Sequence, residues 1–154
     1  MKKIFVIIIF LLLSGCSKNE IINVSDEVNN DYYGYLIIPS INMNLGFYDY
    51  DDERNNVNQN VTLIKSNIEN TFILAAHSGH GYLAYFNDLR YLKVDDEIIL
   101  KFDTQENHYI IKRIRNEIKD GSINILNEKN QVILTTCNQV KKGYQLIIEA
   151  SLVK

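Results

Sequence analysis

From residue 33 onward the chain alternates short apolar runs with polar breaks. Tyr33-Gly-Tyr-Leu-Ile-Ile38 stops at Pro39, the only proline. Comparable runs follow at 43–48, 61–64, 71–77, 97–102, 108–114, 132–136 and 144–149. β-branched and aromatic residues dominate them, and Asn, Asp and Gly bound them, which is the composition of strands and turns. One segment departs from this. Leu83, Phe86, Leu89 and Leu92 recur at helical spacing, which predicts one short helix over 82–92 crossing between two strands. Many short strands with turn signals predict an all-β domain, either a closed barrel or a sandwich. Closure would also remove exposed strand edges, which matters in a domain without disulfides. No internal repeat is evident.

The N-terminus reads differently. Lys2 and Lys3 form a basic start, 5–13 is an apolar run, and Leu13-Ser14-Gly15-Cys16 follows. In order these are the parts of a secretory signal. The apolar run is shorter than the roughly 20 residues of a comfortable membrane span. Its ending resembles a bacterial lipobox, where cleavage precedes a cysteine that is then lipidated, so Cys16 is the expected lipidation site. A signal anchor is the alternative. Segment 17–31 is polar and reads as a tether. The expected organisation is therefore a lipoprotein signal over 1–16, a tether over 17–31 and one domain over 32–154, held at the extracytoplasmic face of the cell membrane.

Charge narrows the partners. Loss of residues 1–15 removes Lys2 and Lys3, leaving 14 basic residues against 19 acidic ones, a net charge of −5. No cluster of Lys and Arg marks a nucleic-acid surface, so no nucleic-acid partner is expected.

Candidate chemistry centres on Cys137, at the end of Gln131-Val-Ile-Leu-Thr-Thr-Cys137. The only other cysteine, Cys16, lies in the signal, so Cys137 has no disulfide partner within the domain. In an oxidising compartment an unpaired thiol points to use as a nucleophile, against the alternative of a small buried hydrophobe. A cysteine nucleophile needs a proton-transfer partner, an oxyanion donor and exposure. His77 ends an apolar run and opens the loop Ser78-Gly-His-Gly81, which contains His80. His108 begins a later strand and reads as a surface residue. In a zinc site on His77, His80 and Cys137 the cysteine would stand alone, with no acidic or cysteine partner placed as a fourth ligand, so no metal and no cofactor is expected. The acidic run Asp49, Asp51, Asp52, Glu53 reads as a solvated loop rather than a calcium site.

Several of these segments, taken in order, resemble the sortase family. Ala75-Ala-His77-Ser, then Tyr85-Phe-Asn-Asp-Leu89, then Leu92-Lys-Val-Asp-Asp-Glu-Ile-Ile-Leu100 look like the middle of a sortase. Ile133-Leu-Thr-Thr-Cys137 resembles the family's Thr-Leu-x-Thr-Cys signature, with isoleucine for the first threonine. Tyr35-Leu-Ile-Ile-Pro39 with Ile41 resembles its first strand, and Asn56-Val57 and Val61-Thr62-Leu63 fit the segment after it. The resemblance runs from about Tyr33 to Val153 and implies an eight-stranded β-barrel with one or two short helices.

The resemblance also implies a membrane-anchored cysteine transpeptidase. Such enzymes cleave a sorting signal of Leu-Pro-x-Thr-Gly type between Thr and Gly, and an amine resolves the thioester. The implied partners are proteins with C-terminal sorting signals and an amine acceptor of peptidoglycan-precursor or pilin type. By matching position Cys137 is the nucleophile and His77 the general acid/base, while Thr135, Thr136 and His80 are substrate-binding positions. The family's catalytic arginine aligns with Gln145, a departure from its pattern. Glutamine still donates to an oxyanion, without arginine's permanent charge and rigid fork. Lys141, Lys142, Arg113 and Arg115 are candidates to supply charge nearby. The alternatives are a catalytically impaired lipoprotein that binds peptides or a partner, and a peptidase that resolves the thioester with water. The short tether and the short 114–132 stretch fit a compact enzyme, without a pilus-type lid or a class B helical insertion.

Overall fold

The computed structural model describes residues 31–153; the signal and all but the last residue of the tether lie outside them. Eight strands run in sequence: β1 Gly34–Ile38, β2 Met43–Phe47, β3 Thr62–Ile64, β4 Thr71–Ala75, β5 Glu97–Phe102, β6 Gln105–Ile118, β7 Gln131–Cys137 and β8 Tyr144–Leu152. They form one sheet in the order β2-β1-β5-β6-β8-β7-β4-β3. A parallel bridge from Phe47 to Val61 links the end of β2 to the approach to β3. It brings the two edges together, giving a nearly closed barrel, the architecture expected from the sequence.

Local chemistry sets the boundaries. Pro39 cannot donate to a ladder and opens a 3-10 turn, Pro39–Ile41, that ends β1. Asn42 then takes a left-handed conformation (φ 51°), which reverses the chain into β2. Asp103 does the same (φ 45°) between β5 and β6. β6 is longer than its apolar stretch, because its polar ends are held by pairing with β5 and β8. A register shift between Ile111 and Arg113 bends it on the way.

β7 and β8 are buried on both faces. Val132, Leu134, Leu146 and Ile148 point into the barrel core with Leu36, Ile38, Leu74 and Leu100. Burying each such side chain stabilises the fold by about 1.5–3 kcal/mol. On the opposite face Ile133 and Ile147 join Ile73 under Ile123 and Ile125. The segment between β6 and β7 therefore lies as a strap over the outside of β4, β7 and β8. That second layer explains why residues 131–136 are buried without a break rather than alternately.

The predicted helix over 82–92 is a 3-10 helix, Asn87–Tyr91, preceded by turns. Leu83, Phe86, Leu89 and Leu92 are spaced by three at every step, which matches three residues per turn and offers no i+4 position for an α-helical stripe. Phe86, Leu89 and Leu92 are buried as the spacing required.

Candidate active site

β4 and β7 run parallel, with Ala75 opposite Thr135. Two residues further along each chain stand His77 and Cys137, so the register delivers both to the same end of the barrel. Three bonds lock the junction. The Ala76 amide donates to the Thr135 carbonyl (3.4 Å), the Thr136 hydroxyl to the Ala76 carbonyl (2.8 Å), and the Ser78 hydroxyl to the Cys137 carbonyl (2.5 Å). His77 is half-buried, and its Nε2 lies 3.4 Å from the Asn58 side-chain oxygen. Its own carbonyl accepts from the Phe86 amide (3.0 Å), which ties the loop to the following turn. Asn87 brackets Gly79, accepting from its amide (2.7 Å) and donating to its carbonyl (3.0 Å). Gly79 has φ 122°, a conformation that glycine adopts without strain.

Cys137 is a free, half-buried thiol. It lines a hollow of about 440 Å³ with Thr136, Asn116, Asn138 and Leu146. His77 and His80 line a neighbouring hollow of about 350 Å³ with Tyr82 and Leu83. Gln145 pairs directly with Cys137 across β7 and β8. Its amide nitrogen donates to the Ser122 carbonyl (2.6 Å), fastening the strap to the barrel. Lys119 brings a cation to the thiol, its Nζ 3.1 Å from Cys137 Sγ.

The sortase-domain family model matches residues 36–153. The chain belongs to the sortase family. Among solved structures it is similar to the Streptococcus agalactiae sortase C1 complex with MTSET, at 21% identity and a TM-score of 0.66, covering 80% of this chain and 70% of that one. It is also similar to sortase C of Streptococcus pneumoniae, at 20% identity, TM-score 0.67 and coverage of 81% and 70%. A lid mutant of sortase A from Corynebacterium diphtheriae gives 18%, 0.67, 79% and 70%. At such identities these likenesses establish the fold. No curated protein matches the sequence.

Within this sortase-family barrel the residues singled out by sequence fall into two groups. Cys137, His77, Gln145, Thr136 and Thr135 converge at the β4–β7–β8 end. Thr135 and Thr136 are buried, the latter 6% exposed. His80 is exposed at the rim of the His77 loop. His108 is elsewhere, its Nδ1 2.7 Å from Glu97. Three of the four cations named as possible sources of charge, all but Lys142, are otherwise engaged. Arg113 and Arg115 hold Glu149, and Lys141 sits over the Tyr144 ring, 3.5 Å from its centroid. In the acidic loop Asp52 pairs with Arg54 (2.7 Å), and those hydrogen bonds hold its carboxyl down at about 2.

Lys119, Asn58 and Ser78 were not legible as site residues. Ser78 adjoins His77, but its bond to the Cys137 backbone needs the β4–β7 pairing. Asn58 comes from the long β2–β3 connection, and Lys119 from the first residue after β6. No local pattern marks either one.

Proposed function

We propose that this protein is a sortase-type cysteine transpeptidase. It would cleave a C-terminal sorting signal of Leu-Pro-x-Thr-Gly type and transfer the acyl group to an amine of cell-wall or protein origin. The observation that supports the reading is the β4–β7 register, whose last pair, Ala75 and Thr135, lies two residues before His77 and Cys137 and so leads both to one end of a family barrel.

In this reading the Cys137 thiolate attacks the threonine carbonyl carbon, and the C–N bond to glycine breaks. His77 protonates the departing amine, leaving a thioester on Cys137. An incoming amine then attacks the thioester, gives its proton to His77, and releases the thiolate. Asn58 orients the imidazole. Gln145 carries two amide hydrogens; one serves Ser122 and the other is available to the tetrahedral oxyanion. Thr135 and Thr136 hold the β7 end against the His77 strand, and His80 borders the groove taken by the peptide. Lipid on Cys16 would keep the domain at the outer face of the cell membrane.

A second reading, a peptide-binding protein without turnover, is favoured by one observation: the Gln145 amide is already bonded to Ser122. Intact mass spectrometry with sorting-signal peptides, with and without an amine, separates the two. Transpeptidation predicts a peptide-sized adduct that is absent in Cys137→Ala and that converts to ligated product with amine. Binding without any adduct, in folded protein, would overturn it. Hydrolysed product alone, even with amine present, would identify a peptidase.

A further inference from the structure

We infer that Lys119 is a catalytic residue of this site, the cation that holds the Cys137 sulfur as a nucleophile and then faces the charge that leaves it. The inference deepens the proposed cysteine chemistry and rests on it.

Lys119 Nζ lies at hydrogen-bond distance from Cys137 Sγ, 3.1 Å. The attacking species is the thiolate, and an ammonium donating to it stabilises its negative charge. The contact comes from an anchored backbone. Ile118 is the last residue of β6 paired with β8, opposite Tyr144, and the Lys119 amide donates to the Gly143 carbonyl (2.9 Å) in the β7–β8 turn. The base of the lysine is thus fixed to the turn that follows Cys137, and only its flexible stem has to reach the sulfur.

The charge is also left uncompensated. Among the described residues no carboxylate pairs with Lys119. The adjacent Asp120 accepts from the amide and hydroxyl of Ser122 (2.9 and 2.7 Å). Glu117, near the end of β6, is paired with Arg115. Arg113 and Arg115 serve Glu149, Lys141 sits over Tyr144, and Arg90, in the hollow that Cys137 lines, donates to Gln139 (2.6 Å) and to the Tyr91 hydroxyl (2.8 Å).

Gln145, at the position directly opposite the cysteine, is neutral. Lys119 therefore supplies from the end of β6 the positive charge that β8 does not. During addition the negative charge passes from sulfur to the carbonyl oxygen. Lys119 transfers no proton, since His77 carries that transfer. A lysine suits this role because its compact charge on a long stem can follow the sulfur's partner over a short distance.

The test reads the thiol directly, in the full chain carrying Cys16→Ser so that Cys137 is the sole cysteine. Alkylation rates are measured at neutral pH with anionic iodoacetate and with neutral iodoacetamide, for the parent, Lys119→Ala and Lys119→Arg. Loss of the cation is expected to slow both reagents, and to lower the iodoacetate-to-iodoacetamide ratio about threefold or more. Arginine is expected to keep the ratio. Raising ionic strength is expected to lower the parent's ratio toward that of Lys119→Ala, a second readout that needs no variant. Unchanged rates and ratio in folded Lys119→Ala, or a parent ratio indifferent to salt, would overturn the inference. Because no peptide is used, a failure to cleave sorting signals would sink the transpeptidase reading separately.

Discussion

Gln145 stands directly across from Cys137, yet its amide donates to the Ser122 carbonyl at 2.6 Å. The same side chain thus clamps the strap and borders the thiol, and it is only 8% exposed. Gln145→Ala removes both functions and is expected to slow peptide cleavage about tenfold, less than loss of a full oxyanion donor. Gln145→Glu is nearly isosteric but replaces the donor with an anion beside the sulfur. It should lose about 100-fold or more. Cleavage kinetics on a sorting-signal peptide check both; an equal effect of the two would argue that Gln145 matters only as a clamp.

Asn58 reaches the His77 ring from a loop outside the barrel strands. Asn58→Ala should leave the fold intact and lower turnover several-fold, through a less well oriented imidazole. His77→Ala should cost about 100- to 10,000-fold. Single-turnover acylation and amine-dependent release, followed separately, would show whether His77 serves both steps. An Asn58→Ala enzyme with parental rates would remove Asn58 from the site.

The buried bond from the Thr136 hydroxyl to the Ala76 carbonyl joins the two strands that carry the site. Thr136→Val keeps the shape and removes the donor. Leaving that carbonyl with one partner fewer is expected to cost about 1–3 kcal/mol, readable as a lower urea midpoint. Thr136→Ser should retain most of the stability.

Glu149, 4% exposed on the outer face, accepts from Arg113 and Arg115. Burial pushes its carboxyl up, but the two guanidinium groups outweigh burial and hold it below its ordinary value of 4.5. The native state therefore resists protonation more than the unfolded chain does. Its stabilising contribution is complete above the ordinary carboxylate range and is lost as pH falls through the depressed native value. Glu149→Gln should destabilise the protein by about 1–3 kcal/mol at neutral pH. The gap between parent and variant should close on acidification below 4.5. Urea melts of both proteins across that range would check it; a gap that widens in acid would reverse the assignment.

Much of the architecture was legible in the chain itself. Alternating burial along β1, a proline that ends it, and Asn and Asp at left-handed turns are local effects, so eight strands could be read directly. The 82–92 segment shows the limit. Its apolar residues repeat every three positions, which signals a helix but lacks the i+4 step of an α-helical stripe, and the structure forms only a 3-10 helix over Asn87–Tyr91. Apolar residues mark only the middle of β6 because its ends are polar; pairing, not composition, extends them.

Sequence by itself determined that Cys137 closes an apolar strand, that His77 opens a glycine-flanked loop, and that Gln145 occupies the place of an arginine in the sortase resemblance. Each of these lies in a contiguous pattern. Only the tertiary structure decided what surrounds the sulfur. The parallel β4–β7 register aligns His77 with Cys137, although 60 positions separate them in the chain. The strap turns Gln145 toward Ser122, and the end of β6 brings Lys119 to the thiol. Those relationships come from strand order and loop closure, which bring together residues far apart in the chain. Hydrogen bonds and ion contacts act over a few ångströms of space and leave no periodic trace in the sequence.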